Sequence, residues 1–162
     1  MVVSSRRENP NRLIADMITL ICAELRIRMH PIGSTAMKRK RILKGFEADS
    51  AYYFGRAGQI KPREVDAEKD PPPDLVIEVE VANPALPRFP IFAAFGVPEV
   101  WRYTGRRLEM YALEEGRYLE IARSLAIPLL TTEIATRFID ERERLDFPEW
   151  ADYVRDWARQ QR

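Results

Sequence analysis

Apolar and acidic residues alternate along one short run that follows three prolines. After residues 71–73, all proline, the chain reads Asp-Leu-Val-Ile-Glu-Val-Glu-Val over residues 74–81. Alternate side chains of a strand share a face, so this run predicts a strand with one apolar face and one face that carries Asp74, Glu78 and Glu80. Carboxylates beside a β-branched core repel each other and are costly to bury without a cation. We therefore expect a metal ion, a lysine or an arginine beside this strand.

Apolar residues at helical spacing predict two helices in the first part of the chain. Asn9 caps the first and Pro10 begins it, since a proline at the first helical position loses no hydrogen bond. Its core-facing residues are expected to be Ile14, Met17, Ile18, Ile21, Cys22 and Leu25. Pro87 and Pro90 fit the first turn of the second helix, where N–H groups have no intrahelical partner. The apolar residues of that helix are Leu86, Phe89, Phe92 and Phe95, and Gly96 ends it.

Two further helices are predicted near the end of the sequence. Thr131 or Thr132 caps one of them, and Pro148 begins the other. Trp150 and Trp157 share one side of the last helix. The sequence alone leaves open whether these two rings close the core or form the contact of a homodimer.

Runs rich in β-branched and aromatic residues predict the remaining strands. Residues 46–54 form one of them, ended by Gly55, and Asp49 stands out within it as an acid. Residues 26–30 alternate weakly and predict a short strand, whereas the polar residues 58–70 predict a long loop. Three runs separated by glycine-containing turns predict a meander, at residues 99–103, 107–113 and 117–123.

Composition narrows the class of protein. With 162 residues, 46% of them hydrophobic, the chain suits one domain over residues 1–162, in which 141–162 form a C-terminal helical extension. The 26 Lys and Arg nearly balance the 25 Asp and Glu, so any nucleic-acid binding must come from a local patch. One cysteine, Cys22, excludes a disulfide framework, and no apolar run is long enough to span a bilayer. We expect a cytoplasmic protein without a membrane partner.

A dense basic run precedes the strand that contains Asp49. It consists of Lys38, Arg39, Lys40 and Arg41, and Lys44 follows it. One interpretation is a solvated loop. The other is a loop that contacts nucleic-acid phosphates, which its position just before an acidic strand favours.

Three carboxylates have the spacing that divalent-metal chemistry needs. Glu78 and Glu80 lie on one strand face about 6.6 Å apart at Cα, and Asp49 lies on the preceding strand. Asp74 is about 13 Å from Glu78 by the same strand rise, so it suits the entry turn of the strand. An open carboxylate cluster without histidines favours Mg²⁺ or Mn²⁺ over Zn²⁺. Phosphodiester hydrolysis is the reaction that such a site favours.

Longer motifs resemble a known family. They are Glu-Ala-Asp at 47–49, Pro-Pro-Asp-Leu-Val-Ile-Glu-Val-Glu at 72–80 and Arg-Phe-Pro-Ile-Phe-Ala-Ala-Phe-Gly-Val-Pro-Glu-Val-Trp-Arg-Tyr at 88–103. Over roughly residues 30–140 the chain resembles the Uma-two family of restriction-endonuclease-like proteins. The resemblance implies the PD-(D/E)xK fold, an α/β fold in which a mixed sheet with a central acidic β-hairpin is flanked by helices. It also implies Mg²⁺-dependent cleavage of DNA, with Asp49 as the motif's aspartate, Glu78 as its glutamate and Glu80 at its third position.

Two departures from the family's pattern leave other functions open. Glu80 stands where the motif's lysine is expected, and the resemblance implies that Arg88 on the following helix serves instead. An arginine stays protonated, so it can stabilise transition-state charge but cannot act as a base. The strand and acidic residue that precede the first helix in members are also expected to be missing. The alternatives are a catalytically degenerate protein that binds nucleic acid or protein, and an unrelated hydrolase that uses His30 or Cys22.

Overall fold

A six-stranded mixed sheet forms the centre of the protein. The structure is a computed structural model that describes residues 9–60, 65–80 and 88–162. The strands of the sheet are in the order β1-β4-β5-β6-β7-β8, and β2 and β3 form a separate antiparallel pair. In order along the chain, the elements are α1 (Pro10–Leu25), β1 (His30–Pro31), β2 (Ala36–Arg39), β3 (Ile42–Glu47), β4 (Ser50–Tyr53), a 3₁₀ helix (Ala57–Gln59), β5 (Leu75–Val79), α2 (Phe89–Phe95), β6 (Glu99–Tyr103), β7 (Leu108–Glu114), β8 (Arg117–Ile121), α3 (Thr132–Glu141) and α4 (Phe147–Gln160).

The sheet separates two apolar clusters, and β5 contributes to both. Leu75 and Ile77 pack on the side of α1, α3 and α4, whereas Val76 packs on the side of α2 and the β2–β3 hairpin. On that second side the ring of Phe46 lies 4.9 Å, centroid to centroid, from the rings of Phe92 and Phe95. The predicted alternation of β5 is therefore confirmed, because successive residues pack against different layers. β5 runs parallel to β6 and antiparallel to β4.

The helix boundaries follow from their caps. Asn9 caps α1 by accepting a hydrogen bond from Asn11 N at 3.0 Å. Gly96 ends α2 with a φ of 77°, which a glycine adopts without steric cost. Thr131 rather than Thr132 caps α3, since its hydroxyl accepts from the backbone of the first turn. The start of α2 predicted at Leu86 and Pro87, and residues 1–8, lie outside the described residues.

The last helix begins one residue earlier than predicted, at Phe147, because Asp146 caps it by accepting from Glu149 N at 3.1 Å. Trp150 is fully buried, and its indole N–H donates to the carbonyl oxygen of Phe138 at 2.7 Å. Trp157 is half-buried and packs on the ring of Phe138 at 5.5 Å. Trp150 therefore closes the core, and Trp157 packs at its edge. A homodimer contact at α4 stays a prediction. The boundary at residue 141 stays a prediction.

The strand predicted over residues 46–54 is wrong in one respect, since it is two strands. β3 ends at Glu47 and β4 begins at Ser50, and the chain bends between them. The bend is held from outside the strand: Asn11 Nδ2 donates to the carbonyl oxygen of Asp49 at 3.1 Å, and Ser50 Oγ donates to Asn11 Oδ1 at 2.7 Å. These bonds direct the Asp49 side chain towards β5.

The positions of Cys22 and His30 bear on the alternative of an unrelated hydrolase. Cys22 is buried in the α1 face of the core, and burial raises the pKa of its thiol to about 12. His30 lies in β1, paired with Tyr53 of β4. A thiol of such high pKa is a poor nucleophile near neutral pH. In the described part of the chain, no helix has the length and apolar character needed to cross a membrane.

Candidate active site

Glu78 is a buried carboxylate on the second side of the sheet. It lies near the end of β5, with 5% of its surface exposed. Arg88, just before α2, places Nη1 3.5 Å from Glu78 Oε1. Burial nevertheless raises the pKa of Glu78 to about 7, since the opposite effect of Arg88 is partly offset by the charges of Asp49 and Glu80. The side chain therefore has less compensating positive charge than its burial demands.

Asp49 lies next to Glu78 at the end of the β4–β5 pair. Ser50 is paired with Ile77 in the antiparallel register, so one step further along the ladder brings Asp49 opposite Glu78. Asp49 Oδ2 accepts a hydrogen bond from Val79 N at 2.8 Å, and the residue is exposed. Within the described ranges Oδ1 has no hydrogen-bond partner. The sheet thus brings a held, solvent-facing aspartate beside a buried glutamate.

Glu80 lies on the same sheet face as Glu78, but its carboxylate has a different partner. Its N–H donates to Tyr103 O at 2.8 Å, which extends the β5–β6 ladder by one residue. Its carboxylate lies 3.9 Å from Arg102 Nε, while Arg102 Nη2 lies 2.8 Å from Glu109 Oε1. Arg102 also stacks against the ring of Phe89 at 5.8 Å. Of the cations expected beside the acidic strand, the structure places arginine there, at both Arg88 and Arg102.

Asp74 lies at the entry to β5, as its place after the three prolines predicts. Its Oδ2 accepts from the backbone N–H groups of Phe54 at 2.6 Å and Arg56 at 3.2 Å. The guanidinium of Arg56 lies 3.4 Å from Asp74 Oδ1. These contacts tie the start of β5 to the end of β4, and they leave Asp74 with a structural role.

A cavity of about 260 Å³ lies beside Arg88. It is lined by Gly45, Phe46, Glu47, Arg88 and Ile91. Arg88 Nη1 donates to the main-chain oxygen of Glu47 at 3.0 Å, which links this cavity to Glu78. Sequence reasoning missed Glu47, although it stands two residues before Asp49 in the Glu-Ala-Asp run.

The basic run occupies the β2–β3 hairpin, where its members divide into two groups. Arg39 is a structural residue: its Nε donates to Ala67 O at 2.7 Å, its Nη2 to Asp70 O at 3.1 Å, and its guanidinium lies 5.3 Å from the centroid of the Phe95 ring. The exposed members are Lys38, Lys40 and Arg41. Both interpretations of the run, as a solvated loop and as a phosphate-contacting loop, place it in a loop, and this is wrong for Lys38 and Arg39, which lie in β2.

The donor set fits a divalent ion of the Mg²⁺ type. Within the described residues, no three His, Cys, Asp or Glu side chains form a preformed metal-binding group. Mg²⁺ needs fewer protein ligands, because it takes one or two carboxylates and completes its shell with water and substrate phosphate. Asp49 and Glu78 supply such hard oxygen donors. The raised pKa of Glu78 indicates a site that lacks positive charge, which a bound ion would provide.

Comparisons with known proteins identify a family and a similar fold. The family model Uma2, described as "Putative restriction endonuclease", matches residues 2–135. A solved structure titled as a "putative nuclease belonging to DUF820 from Anabaena variabilis ATCC 29413" has a similar fold, with a TM-score of 0.50 and 12% sequence identity over 82% of this chain and 83% of that chain. No curated protein matches the sequence. At this identity the structural likeness shows the fold alone.

Proposed function

Because the chain belongs to the Uma2 (Uma-two) family, whose fold is that of a nuclease, we propose that it hydrolyses phosphodiester bonds of DNA as an endonuclease dependent on Mg²⁺ or Mn²⁺. The observation that carries the proposal is the position of Asp49 beside Glu78 at the end of the β4–β5 pair. If the two acids formed only structural ion pairs, nearby cations would compensate their charges. Here burial raises the pKa of Glu78 to about 7 despite the nearby charge of Arg88. A buried acid whose pKa is strongly perturbed beside specific charged partners is a candidate for a functional site.

Asp49 and Glu78 are the residues that would hold the ion. Glu80 is the third carboxylate of the proposed set, although Arg102 already offsets part of its charge. A bound divalent ion would activate water and offset the charge that develops on the phosphate oxygens. The hydrogen bond from Val79 N to Asp49 Oδ2 fixes the aspartate, so that its orientation does not have to be established when substrate binds.

Arg88 is the residue proposed to face the phosphate. Only Nη1 has a partner among the described residues, in Glu78 and the main chain of Glu47, so Nε and Nη2 are available to donate to phosphate oxygens. The planar guanidinium suits this contact because its donors match two phosphate oxygens at once. Arg88 remains a cation throughout, so it stabilises charge and takes no proton.

A second candidate function rests on Glu80. A lysine at this position would supply a cation beside the phosphate, whereas Glu80 supplies a negative charge that lies against Arg102. This substitution favours a protein that keeps the fold and binds nucleic acid or protein without cleaving.

The test is cleavage of plasmid and linear DNA by the purified protein in Mg²⁺ or Mn²⁺. We expect Glu78→Gln and Asp49→Asn to abolish cutting while the thermal unfolding transition stays cooperative. Glu143→Gln, which changes an exposed glutamate in the turn after α3, is the matched control and should cut like the wild type. Equal cutting by the wild type and Glu78→Gln would identify a contaminant and reject the site.

Metal binding has a separate measurement, the melting temperature as a function of metal concentration. An ion that binds only the folded state raises the melting temperature, and Glu78→Gln should remove that rise. If the melting temperature does not change at millimolar Mg²⁺ and Mn²⁺, the result favours a binding protein without catalytic activity.

A further inference from the structure

The cavity beside Arg88 is lined by two residues of opposite charge and by apolar residues. Glu47, which is exposed, and Arg88 supply the charges, and Phe46 and Ile91 supply the apolar surface. Pockets for drug-sized ligands span about 300–1,000 Å³, so a cavity of about 260 Å³ suits a smaller ligand or one part of a larger one. Arg88 connects the cavity to Glu78 through the 3.5 Å contact of Nη1 with Oε1.

The two charges select different groups of a ligand. Arg88 has only donors to offer, and its position between Glu78 and the cavity suits a phosphate. Glu47 has only acceptors when ionised, so it repels phosphate and attracts N–H groups. A ligand that matches both charges carries an anionic group for Arg88, N–H donors for Glu47 and an apolar surface for Ile91. A nucleotide carries all three.

The base itself must be unpaired to reach Glu47. In a duplex the Watson–Crick edge is occupied by the partner base, and proteins that read this edge act on single strands or extrude the base. Guanine presents two adjacent donors on that edge, N1–H and the N2 amino group, which match the two oxygens of one carboxylate. Adenine, cytosine and thymine each present a single donor group there.

We infer that the cavity binds one unpaired nucleobase, guanine in preference to the others, beside the phosphate that Arg88 contacts, and that Glu47 reads its Watson–Crick edge. The inference rests on the proposed function in that the ligand is a nucleic acid, but base binding does not require cleavage. It makes single-stranded or locally unpaired DNA the substrate class, and Glu47 the residue that determines base preference.

The experiment measures binding in the presence of a chelator, so that no cleavage occurs. Labelled oligothymidylates with one central guanine, adenine or cytosine, and the same sequences annealed to complements, are titrated with protein and followed by fluorescence anisotropy. We expect the guanine oligonucleotide to bind about tenfold more tightly than the others, which is the scale of a good bidentate base contact. Glu47→Gln should bring this ratio close to one while affinity for plain oligothymidylate is retained, and Glu143→Gln should leave the ratio unchanged.

A second variant tests the cavity itself. Ile91→Phe narrows it without changing charge, and it should weaken binding of the guanine oligonucleotide more than that of oligothymidylate. The inference is overturned if the wild type shows no base preference, if Glu47→Gln keeps the preference, or if it weakens binding to every oligonucleotide equally. Duplex DNA that binds as tightly as single strands would overturn it as well.

The outcomes separate this inference from the proposed nuclease activity. Cleavage that depends on Glu78 but not on the base at any position, combined with base-independent binding, would reject the inference and leave the nuclease intact. Base-selective binding that depends on Glu47, without cleavage in any metal, would support the inference and reject the nuclease.

Discussion

The guanidinium of Arg88 lies 3.5 Å from the carboxylate of Glu78, yet it does not bring the acid back to its ordinary pKa. The Glu78 side chain is 6% exposed, whereas that of Arg88 is 41% exposed. Solvent therefore screens the cation while the anion bears the cost of desolvation. The nearby charges of Asp49 and Glu80 act in the same direction as burial, and the pKa of Glu78 is raised to about 7.

The first prediction is a loss of stability as the pH rises through the acidic range. Glu78 keeps its proton in the folded protein up to about pH 7, whereas its ordinary value is 4.5. Between these values the unfolded state binds fewer protons, so the free energy of unfolding falls as the pH rises. The loss is about 3 kcal/mol. Glu78→Gln removes it, so this variant should match the wild type near pH 4 and exceed it above pH 7.

Urea unfolding at a series of pH values, in chelator, measures the difference. Glu143→Gln should follow the wild-type curve, because that side chain is exposed. A constant offset between Glu78→Gln and the wild type at every pH would contradict the raised pKa.

The elements that could be predicted from the sequence are those set by local pattern. β5 alternates because Leu75 and Val76 face different buried layers, and a strand has a strict period of two residues. The end of α2 follows from Gly96, whose φ of 77° is available to glycine. The meander follows from turns that contain glycine. In each case the determining residues are close together in the chain.

The features that could not be predicted depend on contacts between distant segments. The bend at Asp49 is held by Asn11, 38 residues away. Arg39 is a structural residue because it binds the carbonyl oxygens of Ala67 and Asp70, 28 and 31 residues further on. Glu47 becomes a cavity residue only because Arg88 is brought to its main chain. Charge and periodicity carry no information about such pairings.

Arg102 gives a second prediction, on stability. It lies between Glu80 and Glu109, whose side chains are 17% and 14% exposed, and its guanidinium stacks on aromatic rings. Arg102→Met leaves two partly buried carboxylates without their cation, so we expect it to lower the free energy of unfolding by about 2 kcal/mol. Chemical denaturation measures this change.

The control is Arg107→Met, which removes an arginine that directly precedes β7 and is paired with Glu120 of β8. Both side chains of that pair are about half exposed, at 54% and 46%, so the loss should stay below about 1 kcal/mol. Equal losses in the two variants would mean that the burial of the Arg102 cluster contributes nothing.

The third prediction concerns the packing of α4. Trp150 is fully buried and donates its indole N–H to Phe138 O at 2.7 Å. Trp150→Phe removes this donor and part of the buried volume, and should cost about 2–3 kcal/mol in a denaturation experiment. Trp157→Phe, at a half-buried position, should cost about 1 kcal/mol or less. A larger loss at Trp157, together with a change in molecular mass by sedimentation, would instead indicate a contact between two copies.

The fourth prediction separates the exposed members of the basic run from Arg39. If Lys38, Lys40 and Arg41 contact phosphates, replacing all three with Ala should reduce the slope of log K against log salt for DNA binding by about 2–3. Arg39→Ala should act differently, since it leaves the carbonyl oxygens of Ala67 and Asp70 without their donor, and should lower stability.

The control is a second triple variant that replaces three exposed arginines: Arg137 on α3, Arg144 in the turn after α3 and Arg155 on α4. It removes the same charge as the hairpin variant. Counterion release depends on which cations replace ions at the phosphates, and net charge by itself does not fix the slope. We therefore expect the full wild-type slope from this control. Equal reductions in both triple variants would mean that the hairpin acts through overall charge, and an unchanged slope in the hairpin variant would mean that it does not touch DNA.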